Sequence, residues 1–217
     1  MTWFTRLFRP KPLSDAQRHR WDAVRALETG MRIWEDAAKI KGEGLRERRL
    51  PKIEEALKYF DEAIEKGIER EGDDSEILSL EEANDDSQAF RLRGDCLEEL
   101  GFYFEALEDY NEAIKRKPRK GIAANYHMRS IIKERLCDCE GSITDLKEAI
   151  RLSRLDNDDN RFWNKYAQST GFASQTAFYE MSLPTEAEMS WKTKAYTDKA
   201  LVEERLKQIR RRPPRAG

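Results

Sequence analysis

Three nine-residue segments constrain the fold of this chain more than anything else in it: "ALKYFDEAI" from Ala56, "ALEDYNEAI" from Ala106 and "SITDLKEAI" from Ser142. All three end in Glu-Ala-Ile. Each opens on a small residue (Ala56, Ala106, Ser142), has a bulky one four positions on (Phe60, Tyr110, Leu146) and returns to alanine three later (Ala63, Ala113, Ala149). Steps of four and three keep these residues on one face of a helix. The small residues let a neighbouring helix approach, and the bulky one fills the gap between. Upstream of the second and third segments lies a matching stretch. Gly94 and Ser130 stand twelve residues before Ala106 and Ser142, and Phe90 matches Tyr126 as Leu100 matches Leu136. The units repeat every thirty-six residues with their internal spacing preserved. Pro118 falls between them, where it ends a helix.

A helix–turn–helix unit of about thirty-four residues, with small residues at both helix contacts, resembles the tetratricopeptide repeat (TPR). Phe90, Gly94, Leu97, Gly101, Ala106, Tyr110, Ala113 and Pro118 carry the resemblance. The third unit, from about Ala123 to Leu152, departs where Lys133 replaces an apolar residue and Ser142 replaces alanine. The likeness is clear over 85–152, partial over 15–67 and absent beyond 153. It implies an all-α fold: a right-handed superhelical array of antiparallel helix pairs, an α-solenoid with a long N-terminal helix and C-terminal capping helices. The chain then divides into a basic amphipathic segment (1–13), a degenerate first pair (14–67), an acidic insertion (68–86), two repeats (87–120 and 121–152), capping helices (153–212) and a tail (213–217).

One departure is informative. The family usually has leucine just before the small residue of the first helix, where this chain has Arg93 and Arg129. Sixteen residues after each stands an aspartate, Asp109 and Asp145; the first unit has Glu43 and Tyr59 there and lacks both partners. We expect Arg93–Asp109 and Arg129–Asp145 to pair between the two helices of each unit. A semi-buried bidentate pair of this kind fixes helix register.

Elsewhere, Trp21, Val24, Leu27, Met31, Trp34 and Ala38 recur three and four apart, which predicts one amphipathic helix from Ser14, its N-cap, to Lys41. Gly44, twelve before Ala56, offers a second register, but it would put Glu43 and Glu47 at apolar positions. "KGEGLRERRLP" reads as a charged loop, with Pro51 starting the next helix. Residues 53–86 hold fourteen acids and three bases, and the insertion within them reads as a solvated linker, with Ile77, Leu78 and Leu80 able to tuck one turn onto the array. Phe162, Trp163, Tyr166, Phe172 and Phe178 suggest packing on the open end of the array, and Thr185 with Glu188 opens a last helix running to about Arg211.

Little in the chain suggests catalysis. Two histidines stand far apart, and no phosphate loop or nucleophile elbow is present. The Cys137-Asp138-Cys139 fragment has the wrong spacing for a zinc pair and reads as packing in a turn. No cofactor, no metal and no enzymatic activity are expected. Three cysteines point to a reducing, cytoplasmic setting, and no apolar run approaches the length of a membrane span. With a net charge of −2, nucleic acid is an unlikely partner.

The resemblance implies a groove lined by the first helices that holds a peptide or helix of another protein. By position its residues are Gln88, Arg91, Asp95, Glu98 and Glu99 in the middle unit, and Ala124, His127, Ile131, Glu134 and Arg135 in the next. Chaperone-binding members grip a terminal carboxylate with lysine, asparagine and arginine; Asp95, Ile131 and Glu134 do not suit that clamp. The mixed-charge face suggests a basic or amphipathic helix as ligand, with a solvated face or filling by the chain's own N- or C-terminal helix as the plainer alternatives. A rival class is a peripheral membrane adaptor. Trp3, Phe4, Leu7 and Phe8 form one face of a short helix ringed by Arg6, Arg9 and Lys11, fit for a membrane surface or a docking partner. The last thirteen residues hold six bases and no acid, a modest electrostatic aid to anionic lipid.

Overall fold

The small–bulky pattern does close helices into pairs. The computed structural model describes residues 15–68, 80–116, 118, 121–155, 158–184, 188 and 199–210, and the regular structure among them is helical. α1 (Asp15–Ala38) packs antiparallel on α2 (Leu45–Ile68), α3 (Leu80–Leu100) on α4 (Tyr103–Lys115), and α5 (Ile122–Arg135) on α6 (Cys139–Ser153). α7 (Asp158–Ser169), α8 (Gln175–Met181) and α9 (Lys199–Arg210) follow. Successive pairs also touch through their first helices, α1 with α3 and α3 with α5.

The contact inside each pair is steric. Gly94 faces Tyr110 so closely that a Cβ at this position would lie 3.1 Å from ring carbon Cζ. Gly30 on α1 stands against Phe60 in the same way, at 2.7 Å. Ser130 is the buried counterpart in the third pair. Gly30 lies thirty residues before its aromatic partner rather than sixteen, because α1, α2 and their connection are longer.

That close approach moves the inner face of α1 by one position from the expected stripe. Ala23, Ala26, Leu27, Ile33 and Ala37 are buried, whereas Trp21 is 62% exposed and Ala38 is also exposed. Small side chains win the interface because the Phe60 ring needs backbone beside it; Val24, Met31 and Trp34 flank it half-buried. Nor does Pro51 start the second helix. α2 begins at Leu45 and carries Pro51 inside it, on an exposed side where the missing N–H is tolerated. The reversal before it uses left-handed Gly42 and Gly44, and Arg48 Nη2 donates to the carbonyls of Lys41 and Glu43 at 2.8 and 2.7 Å.

The acidic stretch is likewise shorter than its composition suggests. α3 begins at Leu80, and buried Asp86 accepts from Arg20 Nη1 of α1 at 2.5 Å. Ile77 and Leu78, the Thr185 cap and the Ser14 cap lie outside the described residues, as do the side chains of Leu80, Phe162 and Tyr166. At the other end, Tyr179 with Phe178 packs on Ala123, Ala149 and Ile150, and Phe172 meets Phe178 edge-on at 4.9 Å. Trp163 instead donates through Nε1 to Asp159 at 3.1 Å.

Equivalent turns join α3 to α4 and α5 to α6. Gly101 has φ of 81° and Cys137, thirty-six residues on, has 67°. The Phe102 N–H donates to the Leu97 carbonyl and the Asp138 N–H to the Lys133 carbonyl, both at 2.8 Å. Asp138 then caps α6, accepting from the Gly141 N–H at 2.9 Å. The cysteine-rich fragment is therefore a repeat turn with a side chain where its counterpart has none. A left-handed residue with a Cβ is strained by roughly 1–2 kcal/mol, and glycine gives back about 0.5–1 kcal/mol through its freer unfolded chain. Cys137→Gly should therefore raise stability by about 0.5–1 kcal/mol, read as a higher urea midpoint at unchanged slope; a lower midpoint would contradict the strain.

Candidate functional site

The arginines that replace leucine reach further than their own unit. Arg93 donates from Nε and Nη2 to the two Asp109 oxygens at 2.8 and 2.6 Å, and from Nη1 to Asp61 on α2 at 3.2 Å. Arg129 donates from Nε and Nη2 to Asp145 at 2.7 Å each, and from Nη1 to Asn111 on α4 at 2.9 Å. Asp61 and Asn111 occupy the same place in the nine-residue segments, and Lys147, exposed, occupies it in the third. Each guanidinium therefore ties its own first helix to its own second helix and to the second helix of the preceding pair. Lys133, the apolar-to-charged departure, adds its Nζ to Asp145 at 2.8 Å. Asp109 and Asp145 are 3% and 2% exposed. Burial pushes the Asp109 carboxyl up, and Arg93 opposes it. The Asp145 hydrogen bonds hold Arg129 more firmly protonated.

The face of the first helices is less uniform than its sequence. Gln88 Nε2 contacts Met31 Sδ at 3.5 Å, which joins α3 to α1. Arg91 Nη1 donates to Asp95 Oδ2 at 2.9 Å. Asp95 is buried, accepts from the Tyr110 hydroxyl at 2.6 Å and belongs to the core of its pair. Burial raises its carboxyl while Arg91 and Tyr110 oppose. Ala124 and Ile131 are half-buried. His127 lies beneath α8, stacked on Tyr179 at 4.8 Å and edge-on to Phe178 at 5.3 Å. That burial brings the imidazole down to about 4. His127 is thus part of the packing at the end of the array, and α8 covers that part of the face.

The remaining groove residues gather at the C-terminal ends of α3 and α5. Glu99 accepts from Arg49 Nη2 of α2 at 2.6 Å. Burial raises the Glu98 carboxyl, with Arg135 opposing and Asp95 adding to the rise. Burial raises Glu99 too, with Arg49 opposing and Glu98 adding. Glu134 is half-buried and Arg135 exposed beside them in sequence. Reasoning from the repeat alone missed Arg49, the Tyr110 hydroxyl and the first-pair counterparts Leu27, Met31 and Trp34. The Gly30–Phe60 correspondence was the signal that could have found those three.

Trp3, Phe4, Leu7 and Phe8 lie outside the described residues, as does the basic tail from 211 onward. No described helix is long and apolar enough to cross a membrane. No family model matches the chain, and no curated protein or solved structure matches it either.

Removing one member of a buried pair strands the other, so Arg93→Met should cost about 3–5 kcal/mol. Adding Asp109→Leu should restore more than half of that loss in urea unfolding. A single-variant cost below about 1 kcal/mol, the range of an exposed pair, would show that the clamp does not hold register. His127 supplies a pH signature. Its folded value of about 4 lies below the ordinary 6.5, so as pH falls the unfolded chain takes up a proton that the folded one refuses. Stability is complete above pH 6.5 and is lost between 6.5 and 4, by about 2 kcal/mol at pH 5. Wild type should lose that much more than His127→Phe between pH 7.5 and about pH 5 in paired urea melts; parallel losses would place the imidazole in water.

Proposed function

We propose that the chain is a TPR-like, right-handed superhelical array that works without catalysis. It acts as a scaffold whose first-helix face binds a basic amphipathic helix of a partner protein. The observation that carries this reading is the set of under-compensated carboxylates at the ends of α3 and α5. Glu98 and Glu99 are raised by burial and by their own neighbours, with Arg49 and Arg135 as the opposing cations. The negative ends of the two helices lie at the same place and deepen the potential. Lysine or arginine carried in on a partner helix supplies the missing charge, and an acidic partner is repelled. Support for the repeat comes from the Gly30–Phe60 and Gly94–Tyr110 contacts and from the two arginine clamps thirty-six residues apart. The three free cysteines fit a cytoplasmic setting.

A panel of synthetic amphipathic helices tests this. They would share one apolar face and carry lysine and arginine, glutamine, or glutamate on the rest. The full chain should prefer the basic helix over the acidic one by tenfold or more, and Glu98→Lys with Glu134→Lys should abolish the preference. Equal binding of all three, or preference for the acidic helix, would remove this reading.

A further inference from the structure

α9 differs from every other described helix in how it is attached. The close backbone packing that joins α1 through α8 does not extend to it. It touches the array through side chains. The Arg210 guanidinium lies 5.3 Å from the centre of the Phe104 ring, three residues past the Gly101 turn. The charge of Arg205 acts on the Cys137 thiol, in the equivalent turn of the next pair. These two fixes lay α9 along the row of turns, from the third pair towards the second.

Those turns are where α3 and α5 end. Terminal carbonyls lack intrahelical partners there and leave partial negative charge, and Glu98 and Glu134 lie in the same final turns. α9 is built to suit such a place. Val202, Leu206 and Ile209, four and three apart, are half-buried, while Arg205, Lys207 and Arg210 are exposed. The apolar stripe with bases beside it is the pattern that the proposed ligand has to carry.

We infer that α9 is an internal stand-in for the partner: a basic amphipathic helix of this chain that occupies the acidic end of the binding face and has to be displaced before a partner helix can bind. The inference rests on the reading of that face given above and adds its regulation. Loose attachment is what such a device requires. A helix held by side-chain tips opens at small cost, whereas α8, with Tyr179 inserted among Ala123, Ala149 and Ile150, does not. A competing helix need therefore be only modestly better than α9 to gain the site.

The test uses the full chain, with and without Arg205→Glu and Arg210→Glu, and a fluorescent peptide copying residues 199–215 as the probe. Hydrogen exchange first reports whether α9 is docked: its amides should exchange at least tenfold faster in the double variant. The probe should then bind the variant at least tenfold more tightly than wild type. Adding Glu98→Lys and Glu134→Lys should cancel that gain, and a charge-reversed probe should bind neither protein. Equal exchange of α9 in wild type and variant would overturn the inference and leave the helix-panel result untouched. Release of α9 without any gain in probe affinity would overturn it as well; the panel then decides separately whether the face binds a basic helix at all.

Discussion

One guanidinium touching three helices organises the middle of this molecule. Arg93 spans α3, α4 and α2, and Arg129 repeats the arrangement on α5, α6 and α4. A buried ion pair adds little net stability, because both charges lose their water. Its effect lies in what it forbids. With Asp109 and Asp145 almost inaccessible, any slide of one helix along another leaves a carboxylate in the interior with no counter-charge. The acceptor on the preceding pair extends the same rule across the boundary between units. Register within a pair and the join between pairs are thus set by the same side chain.

The steric contacts can then be small. Gly30 and Gly94 bring backbone against the rings of Phe60 and Tyr110, and alanines fill most of what remains. Such an interface has few large apolar side chains to tell one register from the next, so polar groups carry that information. The Tyr110 hydroxyl on Asp95 and the Asn125–Ser87 contact at 3.2 Å do so inside the core. A chain with nearly as many charged as hydrophobic residues, 38% against 39%, still closes its core because many charges lie along its joints.

What could be read from the residues follows from how local each signal is. The small–bulky–small segments and the sixteen-residue arginine–aspartate spacing are intrahelical or span one short turn, so they survive as pattern. The partners Asp61 and Asn111 sit in the preceding unit, and nothing but the fold brings them near. Gly30 escaped because fourteen extra residues separate it from its aromatic, and α1 was consequently rotated by one position in the reading. Pro51 misled because proline favours the first turn without being confined to it. His127 looked like a groove residue because its position in the repeat is one; α8, which belongs to no repeat, covers it. Position within a repeat tells which way a side chain starts, but what lies over it comes from elsewhere in the chain.

Lys147 has a consequence for assembly. Along the series Asp61, Asn111, Lys147 the side chain passes from carboxylate to amide to ammonium. The first two receive the arginine of the following pair; the third would repel it. An array whose last unit matched its first could add a second molecule end to end and go on doing so without closure, which is how open filaments arise. A cation at the growing end makes that junction repulsive. The same ladder that aligns the pairs therefore also terminates them, and the molecule stays finite through one change of charge sign.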